Sequence, residues 1–527
     1  MIAEDQSETI EFLSDPATYG LRSGKVETIE THGAFVFLAG ERAYKLKRAV
    51  KFEYMDFSTV DRRRAVCETE ILVNRRTAPE IYLGVMAVVR IASGNLALNA
   101  PDTSLEDSDI VDWVVEMVRF EDDSLFDRMA EQGRLTTEVM TALADQIVQF
   151  HGDAEVRPDM GGCAAHRAVI DTNHKQFLRF LGTVFDKNLA ESVTKAAREE
   201  LERCGGEIER RREAGLVRHC HGDMHLRNIF MFKGVPTLFD AIEFDEKIAC
   251  VDVLYDLAFL LMDLIERGLT DIANQLFNRY LSHVAIPDLW RMDGLKCLPL
   301  FLSCRAGIRA HVNASTAAAQ TDDGAGQEYI RKARKYLAAA ARYLESPSPY
   351  VVAVGGLSGV GKSALAGWLS PKLGRAPGAL WLRSDVVRKR LLGKDPLENL
   401  GPEAYLSEVN ELVYRTMLEM VERAVRAGQS VVVDAVFARE DERLQVASGA
   451  RLAGADFEGL WLEAPREELT RRIRNRRDDA SDATVDVLER QLKYDLGKLG
   501  WIAVDASGSA EKTRETAHKA LEGWLDS

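Results

Sequence analysis

The stretch Gly356-Leu-Ser-Gly-Val-Gly-Lys-Ser363 decides the fold of the C-terminal part of the chain. It follows the apolar run Val351-Val-Ala-Val354 and precedes a helical pattern that begins near Ala364, so it joins a predicted strand to a predicted helix. Glycines let the backbone N–H groups curl around phosphate oxygens, and the helix N-terminus adds partial positive charge. The pattern G-x-x-x-x-G-K-S, in this position, predicts a nucleotide-phosphate loop rather than an ordinary turn.

The residues of this loop have distinct expected roles. Lys362 is expected to bridge the β- and γ-phosphates, and the hydroxyl of Ser363 is expected to bind Mg²⁺. The expected cofactors are therefore ATP, or GTP in its place, and Mg²⁺. The expected nucleotide contacts are Gly356, Ser358, Gly359, Gly361, Lys362 and Ser363.

Beyond the loop, the chain alternates between strand-like and helical patterns. Strand-like runs at 350–354, 379–382, 430–433 and 457–462 are separated by helical segments. This alternation predicts a parallel sheet with crossover helices, an α/β architecture. Because catalytic groups of such sheets lie at the carboxyl ends of the strands, Asp434 is expected near the Mg²⁺.

Other charged residues of this part match the needs of phosphoryl transfer. Asp385, just after the second strand, is placed to take a proton from an attacking hydroxyl, while Arg388 holds the acceptor. Arg472 and Arg476 share one helical face and are expected to close over the nucleotide as a lid that neutralises transition-state charge. The alternative for this run of arginines is a solvated basic face.

With these motifs, residues 351–527 resemble the P-loop kinases of the polynucleotide kinase, chloramphenicol phosphotransferase and zeta-toxin type, often grouped with AAA-type ATP-binding proteins. The resemblance rests on the phosphate loop, on Ser384-Asp-Val-Val-Arg388 and on the segment Asp479-Ala-Ser-Asp-Ala483. It implies that Asp385 is the general base and that Arg388 contacts the acceptor. Since this family phosphorylates very different hydroxyls, the resemblance implies a reaction and leaves the substrate open.

A second motif, His221-Gly-Asp-Met-His-Leu-Arg-Asn228, lies in the middle of the chain. It is followed by the apolar strand Ile229-Phe-Met-Phe232, a turn, and Thr237-Leu-Phe-Asp240. In this arrangement Asp223 is expected to orient or deprotonate an acceptor hydroxyl, while Asn228 and Asp240 converge on Mg²⁺. The motif therefore predicts a second phosphoryl-transfer site.

Residues 20–345 thus resemble the aminoglycoside phosphotransferase family, whose H-G-D-x-H-x-x-N loop and following strand aspartate are matched here. The resemblance implies that Lys47 pairs the nucleotide phosphates, that Glu70 is its helix partner, and that Glu116 and Val118 form the hinge beside the adenine. Lys45 shares a strand face with Lys47, and Glu68 is two residues from Glu70, so both assignments remain open. Asp256 is interpreted as structural.

Three features of this part are less regular. Thr31-His-Gly-Ala34 is the only candidate for a glycine-containing phosphate loop in the first lobe, and Asp240 is followed by Ala-Ile-Glu243, which leaves a metal role for Glu243 open. Arg305 and Arg309, one helical turn apart, either line an acceptor pocket for an anionic group or are solvated arginines of a bundle helix.

The segment Glu345-Ser-Pro-Ser-Pro-Tyr350 separates the two parts, because its two prolines end the preceding helix. We therefore predict a kinase-like N-lobe at 1–118, a helical C-lobe with the catalytic loop at 119–345, and a P-loop kinase domain at 350–527. The fold class is then α/β and α+β: a two-lobed protein-kinase-like fold followed by a parallel-sheet α/β domain.

Charge and composition limit the partners. The 527 residues carry a net charge of −15, and residues 351–527 hold 26 Lys and Arg against 28 Asp and Glu, so the excess negative charge lies almost entirely in residues 1–350. A large nucleic-acid footprint is not expected there. Seven cysteines without a Cys-x-x-Cys pair, the acidic start and the lack of a long apolar run predict a cytoplasmic chain with no membrane partner and no export signal.

The sequence favours an ATP- and Mg²⁺-dependent bifunctional phosphotransferase, each part moving a γ-phosphoryl group to a hydroxyl of a small-molecule or nucleotide-type acceptor. Two alternatives remain open. One part is a nucleotide-binding regulatory scaffold for the other, or the C-terminal part phosphorylates a 5′-hydroxyl of RNA or DNA, for which its nearly neutral charge leaves room. Fold analogy selects no acceptor.

Overall fold

The structure is a computed structural model that describes residues 4–21, 25–52, 55–99, 110–283, 292–320, 323–394, 398–475 and 482–524. The chain divides into two compact units. The first unit comprises Met1–Gln146, Asp153–Gly161 and Val217–Asp256, and the second comprises Ile147–Gly152, Gly162–Leu216 and Leu257–Ser527.

The first unit is built on an antiparallel sheet of six strands, in the order Glu27–Glu30 (β1), Ala34–Ala39 (β2), Arg42–Lys47 (β3), Ile110–Val118 (β8), Tyr82–Arg90 (β6) and Leu96–Asn99 (β7). Its helix α2 is capped by Thr59, whose hydroxyl accepts a hydrogen bond from the amide of Arg62 at 3.4 Å, and α2 packs Cys67 and Ile71 against the sheet. The elements, in chain order, are α1 (Ser7–Ser14), β1 (Glu27–Glu30), β2 (Ala34–Ala39), β3 (Arg42–Lys47), β4 (Lys51–Phe52), β5 (Met55–Asp56), α2 (Val60–Asn74), β6 (Tyr82–Arg90), β7 (Leu96–Asn99) and β8 (Ile110–Val118).

Short strand pairs complete the first unit. The hairpin β10-β11 is antiparallel, with Ile229 opposite Leu238, and β12 pairs with β9. The chain between residues 126 and 266 forms α3 (Phe126–Glu131), α4 (Thr137–Asp153), α5 (Gly162–Arg179), α6 (Lys187–Glu213), β9 (Val217–His219), β10 (Ile229–Phe232), β11 (Val235–Leu238), α7 (Glu246–Ala249), β12 (Cys250–Asp252) and α8 (Val253–Glu266). Phe230 of β10 lies in the same apolar core as Trp113 of the large sheet.

The second unit begins with helices. Besides α5, α6 and most of α8, it contains α9 (Thr270–Ser282), α10 (Leu298–Ala319) and α11 (Asp323–Tyr343). Helix α10 packs along α11, where the hydroxyl of Ser303 donates to the carbonyl of Ala340 at 2.8 Å. None of the described helices combines the length and the apolar character needed to cross a bilayer.

The rest of the second unit is a parallel sheet of five strands in the order β14-β15-β13-β16-β17. The sequence-based fold class is thereby confirmed, although the pattern did not predict β17. The elements are β13 (Tyr350–Gly355), α12 (Lys362–Leu369), β14 (Leu380–Arg383), α13 (Ser384–Leu391), α14 (Ser407–Arg426), β15 (Val431–Asp434), α15 (Glu440–Ala453), β16 (Asp456–Glu463), α16 (Arg466–Asn475), α17 (Val485–Gln491), β17 (Ile502–Asp505) and α18 (Ala510–Ala520).

The register of this sheet aligns the carboxyl ends of β13, β14 and β15. Asp434, the last residue of β15, is paired with Val354 of β13 on one side and with Arg383 of β14 on the other. The phosphate loop follows β13 directly, and Asp385 follows β14. The carboxyl ends of the three neighbouring strands therefore form one edge, as expected for ligand sites of open parallel sheets.

Candidate functional site

The phosphate loop of the second unit has a left-handed backbone, which favours glycine, at three positions, of which Gly361 has a φ angle of 103°. Gly356 and Gly359 have φ angles of 140° and 84°. A Cβ atom at Gly359 would lie 2.7 Å from the carbonyl oxygen of Leu469. Lys362 begins α12 and its Nζ donates to the carbonyl of Leu357 at 3.1 Å, so the loop turns back on its own lysine.

The predicted metal ligands Ser363 and Asp434 lie side by side at the mouth of this loop. The hydroxyl of Ser363 donates to Oδ2 of Asp434 at 2.6 Å, and Nε of Arg383 lies 3.7 Å from the same oxygen. Burial raises the pKa of Asp434 above its usual value, against the opposing effect of Arg383 and Lys362. A hydroxyl and a carboxylate are oxygen ligands that Mg²⁺ takes beside nucleotide phosphates, so these residues fit the ion.

On the acceptor side, helix α13 carries Asp385 in its first turn and Arg388 one turn later. Arg388 is buried: its Nη1 donates to the carbonyl of Ala404 at 2.8 Å, and its guanidinium lies 4.7 Å from the ring centroid of Tyr405. The hydroxyl of Tyr405 donates to Asp482 at 2.8 Å. Arg388 is therefore fixed by the segment that covers α13.

The two predicted lid arginines have different outcomes. Arg476 lies outside the described residues. Arg472 does not occupy the position expected of a lid residue, because all three nitrogens of its guanidinium donate to protein groups. Nε donates to Glu468 at 2.6 Å, Nη1 to the carbonyl of Val360 at 3.1 Å, and Nη2 to the carbonyl of Ala506 at 2.8 Å. These contacts tie α16 to the phosphate loop and to the end of β17.

In the first unit, the loop at His221 is held by buried backbone contacts. The amides of His221 and Gly222 donate to the carboxylate of Asp256 at 3.1 and 2.9 Å, which gives Asp256 the structural position expected from the sequence. The Nε2 atom of His221 lies 2.8 Å from the carbonyl oxygen of Phe239, and burial lowers the pKa of this imidazole, so the neutral ring donates there.

The loop presents the predicted catalytic aspartate to the surface. Asp223 is 38% exposed, and its Oδ2 accepts from Nδ2 of Asn228 at 3.0 Å and lies 3.4 Å from Nε2 of His225. The amide of Phe239 donates to the carbonyl of Asn228 at 3.0 Å, which brings the residue before Asp240 beside Asn228. The amide oxygen of Asn228 and the carboxylate of Asp240 are of the ligand type that Mg²⁺ prefers.

Five charged side chains form a cluster next to this loop. Glu70 is shared by two lysines: its Oε1 lies 2.8 Å from Nζ of Lys45 and its Oε2 lies 2.5 Å from Nζ of Lys47. Lys45 also lies 2.6 Å from Oδ1 of Asp240, and Lys47 pairs with Glu243. Burial lowers the pKa of Lys45, but Asp240 and Glu70 outweigh it and hold the pKa well above its usual value.

The predicted hinge lies at the end of β8. The Oε1 atom of Glu116 accepts from the hydroxyl of Tyr44 at 3.3 Å, and the amide of Val118 donates to the carbonyl of Ile81 at 2.9 Å. The hinge amide that adenine would use is thus paired within the protein, and the assignment stays a prediction.

The predicted acceptor arginines lie in helix α10 of the second unit. Arg305 is 2% exposed and its guanidinium lies 4.8 Å from the ring centroid of Phe259, while that of Arg309 lies 5.8 Å from the ring of Tyr336. Their aromatic contacts make them packing residues of the helical bundle. The buried Arg305 lies neither in an open acceptor pocket nor on a solvated helix face, whereas Arg309 is half-buried and its assignment stays a prediction.

Several residues of the two sites were not predicted. Arg383 had a signal, since it ends a predicted strand beside Asp385. The Oε1 atom of Gln491 accepts from the amide of Ser358 at 2.8 Å, and the Oδ1 atom of Asn74 accepts from the amide of Ala241, after Asp240, at 2.8 Å. No local pattern marks Gln491 or Asn74, because each acts across a large sequence separation.

Comparison with known proteins identifies the C-terminal segment. Residues 351–495 match the family described as AAA domain, which confirms the P-loop resemblance of this segment. An uncharacterized protein of Mycobacterium tuberculosis is 26% identical over 514 residues, which cover 93% of this chain and 94% of that protein. A protein of the same description from Mycobacterium bovis has the same identity and coverage.

Solved structures are similar to separate parts of the chain. A gluconokinase from Sinorhizobium meliloti is 19% identical with a TM-score of 0.25, over 34% of this chain and 95% of that chain. A choline/ethanolamine kinase family protein from Mesorhizobium loti is 14% identical with a TM-score of 0.36, over 62% of this chain and 99% of that chain. An APS kinase of Mycobacterium tuberculosis, solved with AMPPNP and APS, is 18% identical with a TM-score of 0.25, over 34% of this chain and 99% of that chain.

Proposed function

We propose that this chain is a bifunctional ATP-dependent phosphotransferase, in which each unit transfers the γ-phosphoryl group to a hydroxyl of its own acceptor. The observation that supports this proposal is that each unit brings a separate set of the residues predicted for phosphate binding, metal binding and acceptor activation close together. In the second unit the set centres on the Ser363–Asp434 contact of 2.6 Å. In the first unit it centres on the Lys45–Asp240 contact of 2.6 Å.

In the second unit, the amides of the phosphate loop and the Nζ of Lys362 bind the β- and γ-phosphates. Ser363 and Asp434 would hold Mg²⁺, which would supply neutralisation of the phosphate charge. The half-buried Asp385 takes the proton of the acceptor hydroxyl, and Arg388 orients the acceptor. GTP is the alternative donor at this site, because the amides of a phosphate loop contact phosphates and do not select the base.

In the first unit, Asp223 orients the attacking hydroxyl and accepts its proton, with Asn228 holding the carboxylate in place. Asn228 and Asp240 would hold Mg²⁺, and a lysine of β3 fixed by Glu70 binds the nucleotide phosphates. Because the side chain of Asp223 is 38% exposed, a small-molecule hydroxyl can reach its carboxylate. The seven free cysteines fit a reducing compartment, for which we propose the cytoplasm.

The test is transfer of the γ-phosphate from labelled ATP in the presence of Mg²⁺. The full chain is incubated with a metabolite extract, and in parallel with sugars, aminoglycosides, nucleosides and 5′-hydroxyl oligonucleotides. Asp223→Ala and Lys362→Ala are compared with the wild type. Asp271→Ala, a change at an exposed surface carboxylate, serves as the control.

We expect each variant to lose a different set of labelled products by a factor of about 10² or more, the scale of positioned acid–base and electrostatic groups. The control is expected to keep both sets. Absence of any labelled product from the wild type contradicts the proposal. If Asp223→Ala keeps every product while nucleotide still binds to the first unit, that unit is a regulatory scaffold instead.

A further inference from the structure

We propose that the two lysines of β3 have different tasks: Lys45 binds the nucleotide phosphates, and Lys47 is a buried positioning residue that fixes Glu70 together with Glu243. The assignment rests on the nucleotide site proposed for the first unit. It transfers to Lys45 the role that the family resemblance implies for Lys47, and it gives Glu243 a partner other than a metal ion.

Exposure separates the two lysines. The side chain of Lys45 is 15% exposed, and its partner Asp240 is 42% exposed, so this end of the cluster opens to solvent. Lys47 is 2% exposed, Glu243 is 7% exposed and Glu70 is fully buried. A nucleotide phosphate enters from solvent, so the ammonium that meets it is that of Lys45.

Aromatic side chains close the site around Lys47. The ring centroid of Phe57 lies 5.6 Å from Nζ of Lys47, and Phe57 is itself buried. Phe244, the residue after Glu243, packs its ring edgewise on Phe57 with the centroids 6.4 Å apart. The ammonium of Lys47 is therefore covered on a side where a phosphate group would need room, and its charge is met by carboxylates of the protein.

The shared carboxylate explains why a second lysine is present. Oε1 of Glu70 accepts a hydrogen bond from Lys45, while Oε2 forms an ion pair with Lys47, so the charge of Lys47 draws the carboxylate into the orientation in which Oε1 meets Lys45. The charge of Lys47 is balanced by Glu243, because a buried charge without a partner is strongly destabilising. The pair Lys47–Glu243 thereby fixes Glu70 without adding net charge to the cluster.

The consequences of substitution differ for the two lysines. Replacement of Lys45 leaves Glu70 paired with Lys47 and leaves Asp240 in contact with solvent, so the fold is expected to persist while phosphate binding is lost. Replacement of Lys47 alone leaves Glu243 buried opposite Glu70, and the fold is expected to weaken. Replacement of both Lys47 and Glu243 by leucine removes the buried charges together and is expected to restore stability.

The experiment uses the full chain with Lys362→Ala, which silences the phosphate loop of the second unit. Binding of Mg²⁺-ATP is measured by titration calorimetry, and the melting temperature is measured on the same samples. In this parent we compare Lys45→Met with the double variant Lys47→Leu/Glu243→Leu. The affinity is the informative readout, because a purely structural role of Lys47 would not change it once stability is restored.

For Lys45→Met we expect at least about a ten-fold loss of affinity with a nearly unchanged melting temperature, since a charge-assisted contact to phosphate is removed. For the double variant we expect a melting temperature close to that of the parent and a smaller loss of about three-fold, since Glu70 keeps one of its two partners. Equal losses, or normal binding by Lys45→Met, overturn the assignment. Absence of binding in the parent overturns the proposed nucleotide site itself.

Discussion

At the scale of the residue, the two proposed nucleotide sites would bind phosphates with different kinds of groups. In the second unit a glycine-rich backbone brings amide groups to the phosphates, and a single lysine completes the loop. In the first unit the described residues offer charged side chains instead, and one buried glutamate orders two lysines. The strand period predicts that Lys45 and Lys47 share a face of the sheet. Which of the two side chains is more deeply buried depends on the packing of Phe57 and Phe244, and no local sequence pattern reveals that packing.

The glycines of the phosphate loop provide a prediction at this scale. Gly359→Ala places a Cβ atom 2.7 Å from the carbonyl oxygen of Leu469, at a φ of 84°. A left-handed backbone conformation raises the free energy of the folded state by about 1 kcal/mol for a residue other than glycine. In addition, the close contact with Leu469 would displace the loop. We expect this variant to lose the labelled products that Lys362→Ala removes, and to keep the others.

Gly393→Ala is the matched control for this prediction. Its φ of 66° is also left-handed, but nothing lies within 4 Å of the added Cβ atom. We expect a small decrease in stability and unchanged products. If Gly359→Ala retains the activity of the second unit, the loop tolerates a side chain at this position and its predicted role is wrong.

At the scale of the element, helix α9 covers an otherwise open strand of the parallel sheet. Strand β14 is at the edge of the sheet, and edge strands expose unpaired backbone groups. The Oδ1 atom of Asn278 accepts from the amide of Trp381 at 2.6 Å, and the Nδ2 atom of Asn274 donates to the carbonyl of Ala379 at 3.0 Å. Asparagine side chains thus take the place of a neighbouring strand.

This contact matters for function because β14 leads into α13, the helix that carries Asp385 and Arg388. Helix α13 is held from the same direction, since Arg390 donates to the carbonyl of Leu281 at 2.7 Å. The acceptor-side elements of the P-loop site are therefore supported by a helix that lies before the proline-containing linker in the sequence.

We predict that Asn278→Ala lowers the free energy of unfolding of the second unit by about 1–3 kcal/mol, because the amide of Trp381 loses its acceptor. Urea unfolding followed by Trp fluorescence measures the change. Asp271→Ala on the same helix removes only an exposed ion pair and is expected to cost under about 1 kcal/mol. Equal stability of Asn278→Ala and wild type would mean that α9 does not stabilise the edge strand.

At the scale of the whole molecule, the sequence predicts the architecture well where a motif identifies the two secondary-structure elements that flank it. The phosphate loop predicts its flanking strand and helix, and the His221 loop predicts the hairpin β10-β11 and the position of Asp240. Strands β6 and β7 were not predicted because their residues carry no motif, although they form a local hairpin with Arg90 opposite Leu96.

The division into units follows packing that the sequence does not display. The segment Val217–Asp256 belongs to the first unit, since Phe230 lies in the core of the large sheet, although helices precede and follow it in the chain. The helices after Leu257 belong to the unit that contains the parallel sheet. Such long-range contacts depend on side-chain packing, whereas the linker at 345–350 is visible in the sequence because proline and serine mark it.

The central claim is that one chain holds two separate nucleotide sites, and the number of ATP molecules bound per chain tests it most directly. Titration calorimetry with Mg²⁺-ATP is carried out on the wild type, on Lys362→Ala, on Lys45→Met and on the double variant Lys45→Met/Lys362→Ala. We predict two nucleotides for the wild type, one for each single variant and none for the double variant. One nucleotide for the wild type, or loss of all binding in either single variant, would contradict the claim.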